Sequence, residues 1–352
     1  MWTPEQLDEI QVHFILCTER TGSSLLTNML NMHPELIVPS EEPFALYFRK
    51  KYQHKTHWTE AEVIHFADAF FALFERNVHL FYEDKSIFFA SLLEHRSFLT
   101  YDRLIKLSYL HFYAGEVKPK SEIKIILDKQ MKYVFHQKEL FQLFPNAKFI
   151  VWTRDVTTNI VAKQGRSIDF FQHPFYLANI WEMTYKTCLT FPKDRFTIVH
   201  FEDLLNNPTE TLKTINAYFG LNYVEAQNQH AGSFQKLIEH RRAMLSSTFI
   251  ENIKNFHSGL LGDIDKRKLE QGKQSLPNEI HNLVRIKTHA IRTALGYFQE
   301  NNTERFSIAL TLKWKFYRWL AVLFRPRLWK SYRMLPLQMK LALRKMRKGN
   351  TV

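Results

Sequence analysis

Four short apolar runs stand out along the chain, at residues 12–17, 123–127, 148–153 and 195–200. Each is rich in Val, Ile or Phe and bounded by polar or Pro-containing segments, the pattern of a strand. Elsewhere apolar residues recur at helical spacing. That predicts helices over residues 23–31, 60–77, 101–114, 131–144, 157–165, 176–190, 208–219 and 277–298. Alternating strands and helices imply a mostly parallel sheet covered by helices. Pro208 falls where a helix tolerates a missing N–H, and Gly220 is placed to stop that helix. Residues 232–275 break the pattern. Their glycines and alternating charges suit a surface loop, either a solvated connector or a lid.

The first strand leads into Arg20-Thr21-Gly22-Ser23-Ser24 and then a helix. Such a connection aims free backbone N–H groups and the positive end of a helix dipole at one point. Gly22 permits close approach of a ligand, Ser23 and Ser24 add hydroxyl donors, and Arg20 adds a fixed charge. This is chemistry for an anion; a tight turn capped by Ser is the plainer use of the same residues. A Walker A loop is excluded, because two glycines followed by Lys-Ser/Thr at the required spacing are absent.

Bulk properties bound the rest. A length of 352 residues allows one large α/β domain or two ordinary ones, and 30 Phe point to a large core or an apolar acceptor groove. Cys17 and Cys188 are too few for a disulfide framework, so reduced structural thiols in a cytosolic setting are expected. The N-terminal residues lack the basic-then-apolar pattern of a secretory signal, and no run is long and apolar enough to span a bilayer. The 16 His are scattered and no metal-ligand spacing occurs, so no metal is expected.

Charge is unevenly placed. Of the 48 Lys and Arg, thirteen lie after Glu304, where Asp and Glu are absent; the remaining 35 are matched by 35 acidic residues. The excess of +13 therefore sits in residues 305–352, where "KWKFYRWLAVLFRPRLWKSYR" interleaves aromatic and basic side chains. That mixture fits an amphipathic segment at an anionic membrane surface, with Pro326 and Pro336 expected to break it into short helices. Docking of the aromatics on the body or on a second subunit is an alternative reading. Stacking on single-stranded nucleic acid is a third, although a nucleic-acid partner more often meets charge on a folded face.

Three motifs in order, within residues 14–298, resemble the sulfotransferases that use 3′-phosphoadenosine 5′-phosphosulfate (PAPS). "RTGSSLLTNMLNMHPEL" is similar to their 5′-phosphosulfate loop, "FPNAKFIVWTRDVTTNIVAK" to their strand ending in Arg-Asp-Pro, and "FEDLLNNPTETLKTINAYFGL" to their Tyr/Phe-Glu-Asp-Leu helix start. In motif style the chain looks closest to the tyrosylprotein and carbohydrate branches. The resemblance implies that Arg20, Thr21, Gly22, Ser23 and Ser24 hold the 5′-phosphosulfate and that Arg154 holds the 3′-phosphate. It also implies that Glu42, second of the pair in "HPELIVPSEEPFALYF", is the catalytic base, and that Lys129, with Arg20, stabilises the transition state. Two departures stand out. Val156 replaces the motif's Pro, and Ala162 stands eight residues after Arg154, where the family carries a Ser; Lys163 or Ser167 are candidates to take over. "SGLLGDIDKRK" resembles the loop that covers the 3′-phosphate, making Ser258, Lys266 and Arg267 lid candidates.

The expectation is an α/β fold, a P-loop-NTPase-like, mostly parallel sheet flanked by helices over residues 1–305, followed by a basic, amphipathic, helical C-terminal tail at 306–352. The implied activity moves a sulfuryl group from PAPS to an acceptor hydroxyl on a lipid, a carbohydrate or a lipid-linked sugar. The implied setting is cytoplasmic and peripheral, on the inner face of a membrane. Alternatives are a nucleotide-dependent kinase on a related fold, which would want a Walker Lys and a magnesium-binding carboxylate, and a non-catalytic, membrane-attached nucleotide-binding protein, which the Ala162 departure makes thinkable.

Overall fold

A computed structural model describes residues 2–39, 44–113, 122–164, 171–245, 247, 250–251, 264, 266, 276–297, 306–335 and 339, with backbone alone at 74–79 and 325–334. Among these residues one parallel sheet is built from β1 (Gln11–Leu16), β2 (Leu36–Ile37), β3 (Ile125–Lys129), β4 (Phe149–Thr153) and β5 (Phe196–His200). The strand order is β2-β3-β1-β4-β5. The four expected strands form within two residues of their sequence-derived limits. β2 is only two residues long, too short to leave a pattern.

The helices that matter below are α1 (Ser23–Leu30), α2 (Glu60–Phe81), α3 (Lys85–His95), α4 (Tyr101–Leu110), α5 (Val156–Lys163), α6 (Pro174–Cys188), α7 (Phe201–Asn206), α8 (Pro208–Tyr218), α9 (Asn278–Lys287) and α10 (Ile308–Met334). Two expected helices are divided. Residues 131–144 start as a 3-10 turn (Met131–His136) before becoming α-helical, and the helix expected at 277–298 breaks at Thr288, whose hydroxyl donates to the Val284 carbonyl at 2.7 Å. The expected break at Pro326 is absent: α10 runs through it. Pro326 lacks the N–H that would bond the Val322 carbonyl, and the helix continues without that one bond.

Side-chain alternation along the buried strands sorts the core into two layers. Val12, Phe14, Leu16, Ile126, Phe149 and Val151 face the layer that α2, α3, α4 and α6 complete, and Phe44, Phe66, Phe70 and Phe88 interlock there. Ile15, Cys17, Leu127, Ile150 and Trp152 face α1, α7 and α8. Because all strands run the same way, the residues following β1, β3, β4 and β5 share one edge of the sheet, where ligands of open α/β sheets bind. Lys129, Arg154 and the 18–22 loop are all at that edge.

Candidate active site

The loop after β1 is built to turn its amides outward. Arg20 has φ 56° and Gly22 φ 76°, while Thr21 and Ser23 keep negative φ; alternation of this kind makes a concave nest of N–H groups. A Cβ on Gly22 would overlap the Phe201 ring. Three successive carbonyls are tied back to the body. Asn159 Nδ2 donates to Glu19 O at 2.8 Å, Arg154 Nη1 to Arg20 O at 3.3 Å, and Trp152 Nε1 to Thr21 O at 2.9 Å. In a planar trans peptide the N–H points opposite to its C=O, so those anchors aim the N–H groups of Arg20, Thr21 and Gly22 the other way. α1 then starts with Gly22 as a cap that offers no side-chain acceptor to its first turn.

Cations converge on this loop. Lys129 ends β3 beside Ile15 and is buried, which draws its ammonium down to about 8; the Cys17 thiol beside it works the other way. Burial raises the Cys17 thiol in turn, opposed by Lys129, by the Ser23 and Thr21 hydroxyls and by Lys163. Lys163, one turn beyond Asn159 on α5, is fully buried and donates to Thr18 Oγ1 at 2.7 Å. The Arg154 guanidinium stacks on Phe201 at 4.7 Å and donates from Nε to Thr158 Oγ1 at 3.1 Å. Thus Arg20, Thr21, Gly22, Ser23, Lys129, Arg154 and Lys163 come together around one loop. Ala162 is half-buried, and α5 reaches the loop through Asn159 and Lys163.

The profile described as "Sulfotransferase family" matches residues 13–225, more than half of the chain. The chain belongs to the sulfotransferase family. Two solved domains share its fold. The sulfotransferase domain of the Synechococcus PCC 7002 olefin synthase has TM-score 0.51 and 18% identity, covering 83% of this chain and 97% of that one. The sulfotransferase domain from the curacin biosynthetic pathway has TM-score 0.50 and 17% identity, covering 83% and 99%. No curated protein matches the chain by sequence.

Several further residues border the candidate site. Asp155 caps α5, its Oδ1 accepting from Thr157 N at 2.9 Å, and its Oδ2 accepts from Arg292 Nη2 at 3.0 Å. Glu202, at the start of α7, accepts from Asp155 N at 3.0 Å and from the Tyr297 hydroxyl at 3.3 Å; burial raises its carboxyl. Asp155 was readable as a helix cap, whereas nothing local announces Arg292 or Tyr297. Asp128 precedes Lys129 in β3 and so faces the other side of the sheet from it; it is fully buried and accepts a hydrogen bond from the Tyr109 hydroxyl, and burial lifts its carboxyl to about 7.

Glu42, Ser167, Ser258 and Arg267 lie outside the described residues, and Lys266 is exposed. The nearest described stretches on either side of Glu42 are anchored at Val38 and Phe44. Asn31 holds Val38 through both its amide oxygen (2.7 Å) and nitrogen (3.0 Å), and Phe44 is buried with its ring 4.5 Å from that of Tyr109. From the 232–275 segment, Ile264 packs against the core layer of α1.

Proposed function

We propose that this sulfotransferase takes its sulfuryl group from PAPS and delivers it to an acceptor hydroxyl. One observation carries the reading: the nest at Arg20–Gly22, whose carbonyls are anchored on the protein side so that its amides and the start of α1 face a common anion position. The Phe201 ring fills the space where a Cβ on Gly22 would stand, which keeps position 22 a glycine and the nest in its shape.

The donor supplies an activated sulfuryl group, and transfer makes a bond from the acceptor oxygen to sulfur while the bond from sulfur to the 5′-phosphate oxygen breaks. In our reading the chain does the rest. The nest, with the Ser23 and Ser24 hydroxyls, grips the phosphosulfate and orients it for in-line attack. Arg20 and Lys129 offset negative charge as it shifts onto the leaving phosphate oxygen, as cations do in phosphoryl transfer. Arg154 and Lys163 are assigned to the 3′-phosphate side, and Ser258 is kept as a further candidate for it from the sequence alone. Glu42 accepts the proton that the acceptor hydroxyl loses. The proposed acceptor is a hydroxyl compound carried at a lipid surface.

The test uses sulfur-35-labelled PAPS with a panel of hydroxyl lipids and glycolipids. Label should move to an acceptor with the wild-type protein. Glu42→Gln should keep binding of adenosine 3′,5′-bisphosphate and lose at least ~100-fold in transfer, the scale of general-base catalysis. Equal transfer by both proteins would remove Glu42 from the mechanism.

A further inference from the structure

Helix α10 has two apolar faces, and the body covers one. Trp314, Leu320 and Ala321 are buried; the Trp314 ring meets Phe175 at 5.5 Å, Tyr317 stacks on His173 at 4.0 Å and Phe324 meets Phe171 at 5.6 Å. Arg318 adds an ion pair to Glu182 of α6 at 3.2 Å. The other face presents Ile308, Leu312, Phe316, Trp319 and Val322, each between 46% and 80% exposed. At about 100° per residue these five fall within an arc of about 120°. Lys315 lies inside the arc and Arg318 borders one side of it; Lys313 falls beyond the buried Leu320, on the half of the helix turned towards His173. Scattered apolar residues on a surface need no explanation; five large ones on one helix face do.

We propose that this face of α10 lies in the plane of an anionic lipid bilayer, with the arc in the acyl boundary and the basic residues at headgroup level. Charge selects this occupant. Thirteen Lys and Arg after Glu304, with acidic residues absent there, complement an anionic surface. A second copy paired through the same face would bury Lys315 between two apolar arcs without an acidic partner from α10, whose residues from 305 on include no Asp or Glu. Aromatic rings such as Phe316 and Trp319 suit the interface, and the Lys315 stem can lie along the apolar arc while its ammonium stays in water. Because the opposite face is locked to α6, the bilayer would hold the whole sulfotransferase body in a fixed orientation. The proposal rests on the helix surface and is independent of the donor and of the reaction.

The test is co-sedimentation of the full-length protein with phosphatidylcholine vesicles, with and without about one-third phosphatidylserine, alongside the double variant Phe316→Ser, Trp319→Ser. That variant keeps every charge and leaves the docked face intact, and an unchanged unfolding temperature verifies its fold. Wild-type protein should sediment with the phosphatidylserine vesicles and stay in solution with the neutral ones, and the variant should bind the former at least ~10-fold more weakly. Failure of the wild type to bind either vesicle overturns the proposal, as does binding by the variant equal to wild type. Light scattering completes the test: a wild-type dimer that the double variant converts to monomer would identify a second copy as the occupant and overturn the lipid assignment.

Discussion

A methyl group added at Gly22 would run into the Phe201 ring, at a backbone φ of 76° that residues with a side chain rarely adopt. Gly22→Ala should therefore destabilise the fold by about 1–3 kcal/mol and abolish binding of adenosine 3′,5′-bisphosphate, measured by thermal unfolding and titration of the same sample. Undiminished binding would remove the nest from the donor site. Lys129 gives a pH signature. Burial draws its ammonium down to about 8, so the cation is present below that pH and lost above it. Transfer activity should fall roughly tenfold per pH unit above about 8, and Lys129→Arg, charged throughout the range, should lack that alkaline limb. An unchanged limb in the Arg variant would assign it to another group. The loop residues were legible because a strand, a small polar loop and a helix are local signals, whereas Lys129 was reached only through the family resemblance. The Asp155–Glu202–Arg292–Tyr297 network was not, since its members are up to 142 positions apart and meet only once the sheet has closed.

Among elements, β4 and α5, with Arg154 between them, act as the clamp on the 18–22 loop, contributing Trp152, Arg154, Asn159 and Lys163 to it. Among the described residues, Asn159 meets that loop through its hydrogen bond to the Glu19 carbonyl, so it serves as a positioning residue. Asn159→Ala should weaken bisphosphate binding about 10-fold, or about 1.4 kcal/mol. A lower unfolding temperature with unchanged affinity would reduce Asn159 to a purely structural role. The strands of this clamp were readable because buried parallel strands give continuous apolar runs. α3 was not readable: Ile87, Phe88, Phe89, Leu92 and Leu93 spread around much of its circumference, and helical spacing leaves no clear stripe. The Pro326 signal misled for a related reason, since a proline breaks a helix only when the lost bond and the ring clash outweigh the packing on either side.

Across the molecule, the charge split between a neutral body and a cationic C-terminal region was plain in the sequence, but the use of α10 was not. The same aromatics that suggested a membrane segment divide between a docked face and an exposed one, and only tertiary contacts make that division. Removing the docked anchor, Trp314→Ala, should cost about 3 kcal/mol in chemical unfolding, because a buried ring against Phe175 leaves a cavity. A change below ~1 kcal/mol would mean that α10 is only loosely held. The 30 Phe likewise pointed to either a core or an acceptor groove, and Phe44, Phe66, Phe70 and Phe88 are committed to the core.

Calorimetric titration of the full chain with adenosine 3′,5′-bisphosphate, beside adenosine 5′-phosphate, tests directly whether the 18–22 loop holds PAPS. The donor site argued from the nest, Arg154 and Lys163 predicts saturable one-to-one binding of the bisphosphate and at least ~10-fold weaker binding of the monophosphate. Equal affinity for the two, or heat from neither with a folded sample, would contradict a PAPS site at this loop.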